Sequence, residues 1–369
     1  MRVLRIDDSS RYQQLVGIGG LGTGIFFALE GDHTLGRNES RPGELLNVRD
    51  YCKLHIVIHY VAKLLGGQCF RVLPLGKVGN DEAGRFVLQE MNEAGIDTRF
   101  VEAVADKPTL FSVCFQYPDG AGGNITTNNS AAAELSERDL HKVEVVLAAG
   151  PRTIALSLPE VSIEVRHQFL KLATRAGAFR AASFVSAEIA AAKQLGMFEQ
   201  LDLVALNEAE AAEVIGTDFS ADDPRLCMDK CVDCLRRTYP HLRMVISCGK
   251  GGAYALNHET WNYCPVPQVE VASTAGAGDC LLGGIMSAIA AGIPLLSAQP
   301  PRQSLTERPV ETALEFGVLL ASYKVTSPHT IHPDASLTSL IQFAEQANVQ
   351  FGPAFLTIFT EAPVVGSGT

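Results

Sequence analysis

Between residues 15 and 248, apolar strand-like runs alternate with segments of helical spacing, and that alternation constrains the fold more than any single motif does. Strand, helix and strand in that order give right-handed crossovers, hence a mainly parallel sheet with helices on its faces. The spacing predicts strands over 14–18, 70–75, 153–157, 179–184, 203–206 and 244–248. Helices are predicted over 50–65, 81–94, 136–148, 162–176, 187–195, 208–215 and 223–239, with two more over 310–325 and 336–347. The predicted class is α/β and layered, with no internal repeat. Residues 98–127 differ: short alternating segments over 100–104, 109–116 and 124–127, broken at Asp106-Lys107-Pro108 and Pro118-Asp119-Gly120, read as an antiparallel patch.

With 369 residues, 47% hydrophobic and 19% charged, the chain has enough apolar material for a large core. A net charge of −11 argues against nucleic acid or an anionic membrane as main partner, since both call for clustered Lys and Arg. No apolar run approaches a bilayer span and the first dozen residues are polar, so a cytoplasmic protein is expected. Nine scattered cysteines fit reduced thiols better than a disulfide framework. Cys227, Cys231 and Cys234 have a spacing that could ligate a metal, but the same spacing marks one face of an ordinary helix, and that reading is preferred.

The chemistry concentrates in Ser273-Thr274-Ala275-Gly276-Ala277-Gly278-Asp279, directly before an apolar helical run. Small residues at a helix start let an anion approach unpaired N–H groups, and the aligned peptide dipoles favour negative charge there. Asp279 would repel a phosphate in that cradle unless it served to take a proton from an attacking hydroxyl. The arrangement suits phosphoryl transfer to an alcohol; a tight turn with a favourable first-turn charge is the plainer alternative.

Thr274, Gly276, Ala277, Gly278 and Asp279 resemble the Asp-Thr-x-Gly-Ala-Gly-Asp signature of the ribokinase-like (PfkB-type) sugar kinases. The resemblance implies that Gly276, Ala277 and Gly278 form an anion hole and that Asp279 is the catalytic base. Ser273 replaces the leading Asp, which helps to hold a monovalent cation in many members, and so weakens the case for that cation here. Leu75 to Gly84 is similar to the family's Gly-x-Val-Gly-x-Asp-x-x-Gly turn, although Asp81 also reads as a helix cap. Asn207-Glu208-Ala209-Glu210 looks like the Asn-x-x-Glu element, which implies Glu210 organising magnesium through water, with Asn207 equally read as an N-cap. Ser247, Gly249 and Gly252 match the turn under the nucleotide, whose plain reading is a hairpin.

Carried over to the whole chain, the resemblance implies one ribokinase-like domain over 1–348 with a small β-lid from segments near 17–45 and 97–130, and a loose C-terminal tail over 349–369. The implied cofactors are ATP and Mg2+, with a monovalent cation left open. The family's early Asp and its Gly-Gly-x-x-x-Asn motif, which contact sugar hydroxyls, are missing. Asp32, Asn38, Arg41 and Asn47 are the polar residues offered in their place as acceptor ligands, each also readable as a solvated loop residue. The expected partner is a small sugar or a nucleoside, and lid-edge pairing would give a homodimer. Two rivals stand beside the carbohydrate kinase and its nucleoside-kinase variant: a family member that binds without turnover, and a dinucleotide-binding oxidoreductase suggested by Gly17-Ile18-Gly19-Gly20-Leu21-Gly22.

Overall fold

A computed structural model describes residues 2–66, 69–118, 122–216 and 224–362. In chain order the strands are β1 (Arg2–Leu4), β2 (Gln14–Ile18), β3 (Gly22–Leu29), β4 (Gly43–Tyr51), β5 (Arg71–Gly79), β6 (Val101–Val104), β7 (Leu110–Gln116), β8 (Gly122–Thr126), β9 (Thr153–Ser157), β10 (Phe179–Ser183), β11 (Leu203–Asn207), β12 (Arg243–Ser247), β13 (Ala253–Leu256), β14 (Trp261–Cys264) and β15 (Phe359–Glu361). The main sheet runs β14-β13-β12-β11-β10-β9-β2-β5-β6, parallel from β12 to β6, with β13 and β14 added antiparallel at one edge. Every residue of β2 and β9 is buried, as a sheet covered by helices on both faces requires.

The helices are α1 (Lys53–Leu65), α2 (Glu82–Glu93), α3 (His141–Leu147), α4 (Ile163–Ala176), α5 (Ser186–Gln194), α6 (Glu208–Ile215), α7 (Pro224–Thr238), α8 (Ala277–Ala290), α9 (Ala313–Lys324), α10 (Leu337–Gln346) and α11 (Pro353–Ile358). Helix α8 lies between α1 and α9 inside the largest core cluster. Its Gly284 allows this, since a side chain there would press within 2.9 Å of the Gly317 backbone in α9. Cys227 and Cys231 of α7 are buried beside Met228, Val232 and Leu235 in a second core cluster, and no group of His, Cys, Asp and Glu suited to a metal occurs among the described residues. Among those residues, no helix is long and apolar enough to cross a membrane.

A second sheet, β4-β3-β7-β8, stands beside the first, with β3 and β7 parallel and the outer pairs antiparallel. Three expectations are corrected here. Residues 100–104 were expected in the antiparallel patch, yet β6 pairs parallel with β5 at the edge of the main sheet; a one-sided edge strand alternates in the same way as a hairpin strand. Residues 50–52 were expected to open α1, but β4 runs through Tyr51 and Cys52 is the N-cap. Asp50 is buried instead of capping the helix.

The third correction concerns the loose tail over 349–369. Phe355 is fully buried and stacks on Phe316 with centroids 5.0 Å apart, and β15 pairs antiparallel with β1, so the fold extends through Glu361. Residues 363–369 of that tail, Asp119 and Gly120 of the expected turn, and Asp223 at the expected helix start lie outside the described residues.

Candidate active site

Gly276 is the N-cap of α8 at φ 75°, a left-handed conformation that favours glycine, and a side chain there would meet the Thr330 carbonyl oxygen at 2.8 Å. The Ala277 amide donates to the Thr274 carbonyl at 3.1 Å. Among the described residues the amides of Gly276, Gly278 and Asp279 have no acceptor, which leaves a set of donors with the α8 dipole behind them. The donors therefore shift from the predicted 276–278: Ala277 is occupied, and Asp279 supplies its own N–H.

Asp279 lies where two clefts meet. One cleft holds Asn207, Glu210, Ser247, Thr274 and Gly278. The other lies under the four-stranded sheet and holds Asp50, Ser112, Cys114, Asn124 and Glu160. Thr274, Gly276, Asp279 and Lys53 line both. Burial pushes the Asp279 carboxyl up, and the Lys53 ammonium, 3.8 Å from its Oδ2, opposes that shift. Asp279 in turn, more than any other group, holds Lys53 protonated. Lys53 is the first residue of α1, where the helix dipole disfavours a cation, so its place is justified by the site and not by the helix.

Asn207 and Glu210 form a reciprocal capping box on α6, with Asn207 Oδ1 accepting from the Glu210 amide at 2.8 Å and Glu210 Oε2 accepting from the Asn207 amide at 2.9 Å. Both still line the cleft that contains the cradle. Hard oxygen donors on that wall fit a magnesium ion that keeps most of its waters. Ser247 sits on the same wall, whereas Gly249 belongs to a short 3-10 turn and Gly252 serves the hairpin into β13; neither lines the cleft. Asp81 caps α2 by accepting from the Gly84 amide and also accepts two bonds from Thr109, so it works as a structural tie.

The four acceptor ligands offered by the sequence are not in the second cleft. Asp32 and Asn38 are exposed in the loop between β3 and β4, and Asn47 is exposed on β4. Arg41 binds Glu39 Oε1 at 2.8 Å and the His33 carbonyl, because that loop closes on its own polar groups at the far end of the hairpin. The polar lining comes from elsewhere. Glu160, the third residue after β9, beyond Leu158 and Pro159, has φ 76° and accepts from the Lys53 amide at 3.3 Å. A non-glycine residue held in that region marks a position the surroundings over-determine. Gly20 makes room for it, since a side chain there would come within 2.4 Å of Glu160 Cβ. Asp50 lies in register with Gly24 across β3 and β4, and a Gly24 side chain would reach within 2.2 Å of its Oδ2. Residues 17–24 carry no acid of their own, and the Asp50 carboxyl of the neighbouring strand lies against them.

Residues 57–336 match the pfkB family carbohydrate kinase family. The chain belongs to the PfkB family of carbohydrate kinases. Among its relatives, fructokinase-1 of Oryza sativa subsp. japonica is 25% identical over 282 residues, covering 73% of this chain and 81% of the fructokinase. Aminoimidazole riboside kinase of Salmonella typhimurium is 26% identical over 230 residues, covering 60% and 68%. Ribokinase from Cryptococcus neoformans var. grubii, solved in complex with ADP, superposes with a TM-score of 0.70 at 19% identity, covering 90% of this chain and 99% of that one, and shares the fold. This PfkB member is accordingly a phosphotransferase with a hydroxyl acceptor. The oxidoreductase reading falls: β2 is followed by β3 of the small sheet and not by a helix, and Gly20 and Gly22 allow close packing, a Gly22 side chain meeting the Leu110 carbonyl at 2.0 Å.

Lys53, Asp50 and Glu160 belong to no motif read from the sequence. Glu160 had one available signal, an acid just beyond the carboxyl end of a parallel strand, where ligands bind in open α/β sheets. Burial pushes Glu160 to about 7 and Asp50 to about 6. A carboxyl raised in this way carries no penalty below its ordinary range and destabilises the fold increasingly as pH rises through the folded value. Glu160→Gln cannot ionise, so its melting temperature should gain on that of the parent between pH 5 and pH 8, by roughly a few degrees, while activity falls. A melting difference that is flat across that interval would show that Glu160 does not carry this buried charge.

Proposed function

We propose that this PfkB kinase transfers the γ-phosphoryl group of ATP to a hydroxyl of a small sugar or sugar-like polyol, with Asp279 as the base. The observation that carries the reading is the position of Asp279 on the wall shared by two clefts, with the free amides of Gly276, Gly278 and Asp279 beside it. The nucleotide would enter the Asn207 cleft with its terminal phosphate against those amides. The acceptor would lie among Asp50, Asn124 and Glu160, hydroxyl toward Asp279.

Magnesium would be held by Glu210 and Asn207, largely through water, and supplies charge neutralisation on the phosphates when bound. The chain's own groups do the rest. Donors fixed before the reaction meet charge developing on the phosphoryl oxygens without reorganising. Lys53 opposes the upward shift that burial imposes on Asp279, and Asp279 orients the acceptor hydroxyl and takes its proton. Because the transfer is largely dissociative, positioning contributes more than basicity.

Three carboxyls and one ammonium border the acceptor cleft, so an uncharged or amine-bearing polyol suits it better than a sugar phosphate. The aminoimidazole riboside kinase relative favours a nucleoside-like acceptor as the second reading. A coupled assay of ADP release with ATP across pentoses, hexoses, their phosphates and nucleosides tests both. Acceptor-dependent ADP release with an uncharged polyol supports the first and a nucleoside preference the second. Tight nucleotide binding without turnover of any acceptor would favour a non-catalytic binder.

The four-stranded sheet would act as a lid that keeps water from the phosphoryl group. Amide exchange in β7 and β8 should slow when ATP analogue and acceptor bind together; unchanged exchange in those strands would remove the lid from the account.

A further inference from the structure

The loop that leads into the cradle is held from below by a lysine. Lys324 closes α9, and its side chain is wholly buried. Its Nζ donates to the Ser273 carbonyl at 3.0 Å. Around that contact the amides of Ala272 and Ser273 donate to the Val325 carbonyl at 2.8 and 3.3 Å, and the Ser273 hydroxyl accepts from the Ala275 amide at 3.3 Å. Among the described residues no carboxylate lies within ion-pair distance of Lys324, although its charge is felt at Asp279. A buried ammonium without an anionic partner is destabilising unless its surroundings use it. Carbonyls at the end of α9 favour a cation at this point.

A monovalent cation does not fit here. The residue that would help to hold one is a neutral serine, its carbonyl is already engaged by a full positive charge, and its hydroxyl already accepts from the Ala275 amide. A second cation beside Lys324 would be repelled in a water-poor site.

We propose that the Lys324 ammonium occupies the place of the monovalent cation in this chain, so that the protein itself braces the 273–276 loop and phosphoryl transfer needs no potassium. The proposal rests on the kinase reading above, with Lys324 as a positioning residue acting through the Ser273 carbonyl. The atom that would otherwise diffuse in is covalently attached, which removes the ion from the binding equilibrium.

The test compares potassium, sodium and tetramethylammonium chloride at equal ionic strength, with two readouts. One is the initial rate with saturating magnesium ATP; the other is the melting shift produced by a magnesium ATP analogue without acceptor. For the parent chain, rates should agree within about twofold in all three salts, with equal melting shifts. Lys324→Met should lose on the order of tenfold or more in kcat in tetramethylammonium, and potassium or ammonium should restore part of both the rate and the melting shift, which a merely structural lysine would not do. Potassium stimulation of the parent by about fivefold or more, or a Lys324→Met variant as active as the parent in tetramethylammonium, overturns the proposal. Should Lys324→Met fail to fold, the parent's melting shift decides: an analogue effect that is larger only in potassium overturns it, and equal shifts support it. If no acceptor turns over in any salt, the kinase reading fails while the melting shifts still judge the cation claim.

Discussion

Asp279→Asn is expected to lower turnover on the order of 100-fold or more while ATP binds about as tightly as before. The two halves of that expectation have separate causes. Asparagine has the same shape, stays in the first turn of α8 and leaves the amides of Gly276, Gly278 and residue 279 free, so the cradle is intact. It cannot take the hydroxyl proton, and it removes the negative charge that directs the acceptor. Loss of a carboxylate beside the phosphates also relieves like-charge repulsion in the ground state, so nucleotide affinity should hold or improve. Near-parent turnover in this variant would refute the base assignment; a large loss of ATP affinity would mean that Asp279 supports the cradle and not the acceptor.

Replacing Lys53 by methionine should have the second-largest effect, and it should depend on pH. Lys53 is the ammonium among Asp279, Glu160 and Glu210, and its charge opposes the upward shift that burial imposes on each. Without it all three carboxyls are harder to ionise. The acid limb of the rate profile, set by Asp279 in its ionised form, should move to higher pH by on the order of one unit or more. Lys53→Met should therefore lose more activity at pH 6 than at pH 8.5, on top of a loss common to both from the missing charge near the phosphoryl group. A profile that keeps its shape and only drops in height would show that Lys53 contacts phosphate without tuning the base.

The sequence makes the main sheet readable wherever a strand is buried on both faces. β2, β9 and β11 appear as short uninterrupted apolar runs, and α8 as an apolar helix behind a glycine turn. The small sheet is harder to read because β3 and β4 are half-exposed and glycine-bearing, so neither shows a clean period. The cradle can be read because its donors all fall within the short stretch 276–279. The acceptor cleft cannot, since Asp50, Glu160 and Asn124 come from three distant segments that meet only through the crossing of the two sheets. Asp32, Asn38, Arg41 and Asn47 illustrate the converse: Arg41 is tied to Glu39 and the His33 carbonyl within its own loop, and the other three face outward, so suitable composition did not put them in the cleft. At Asn207 and Glu210 the capping alternative and the ligand alternative are compatible, because each carboxyl or amide oxygen accepts more than one bond.

A crystal structure of the protein with a non-hydrolysable ATP analogue and magnesium would show where the terminal phosphate lies. The γ-phosphate oxygens should lie at hydrogen-bond distance, about 3 Å, from the amides of Gly278 and Asp279, with the Asp279 carboxylate turned to the Glu160 side. An analogue bound elsewhere, or seated in the Asn207 cleft with its terminal phosphate away from those amides, would contradict that placement.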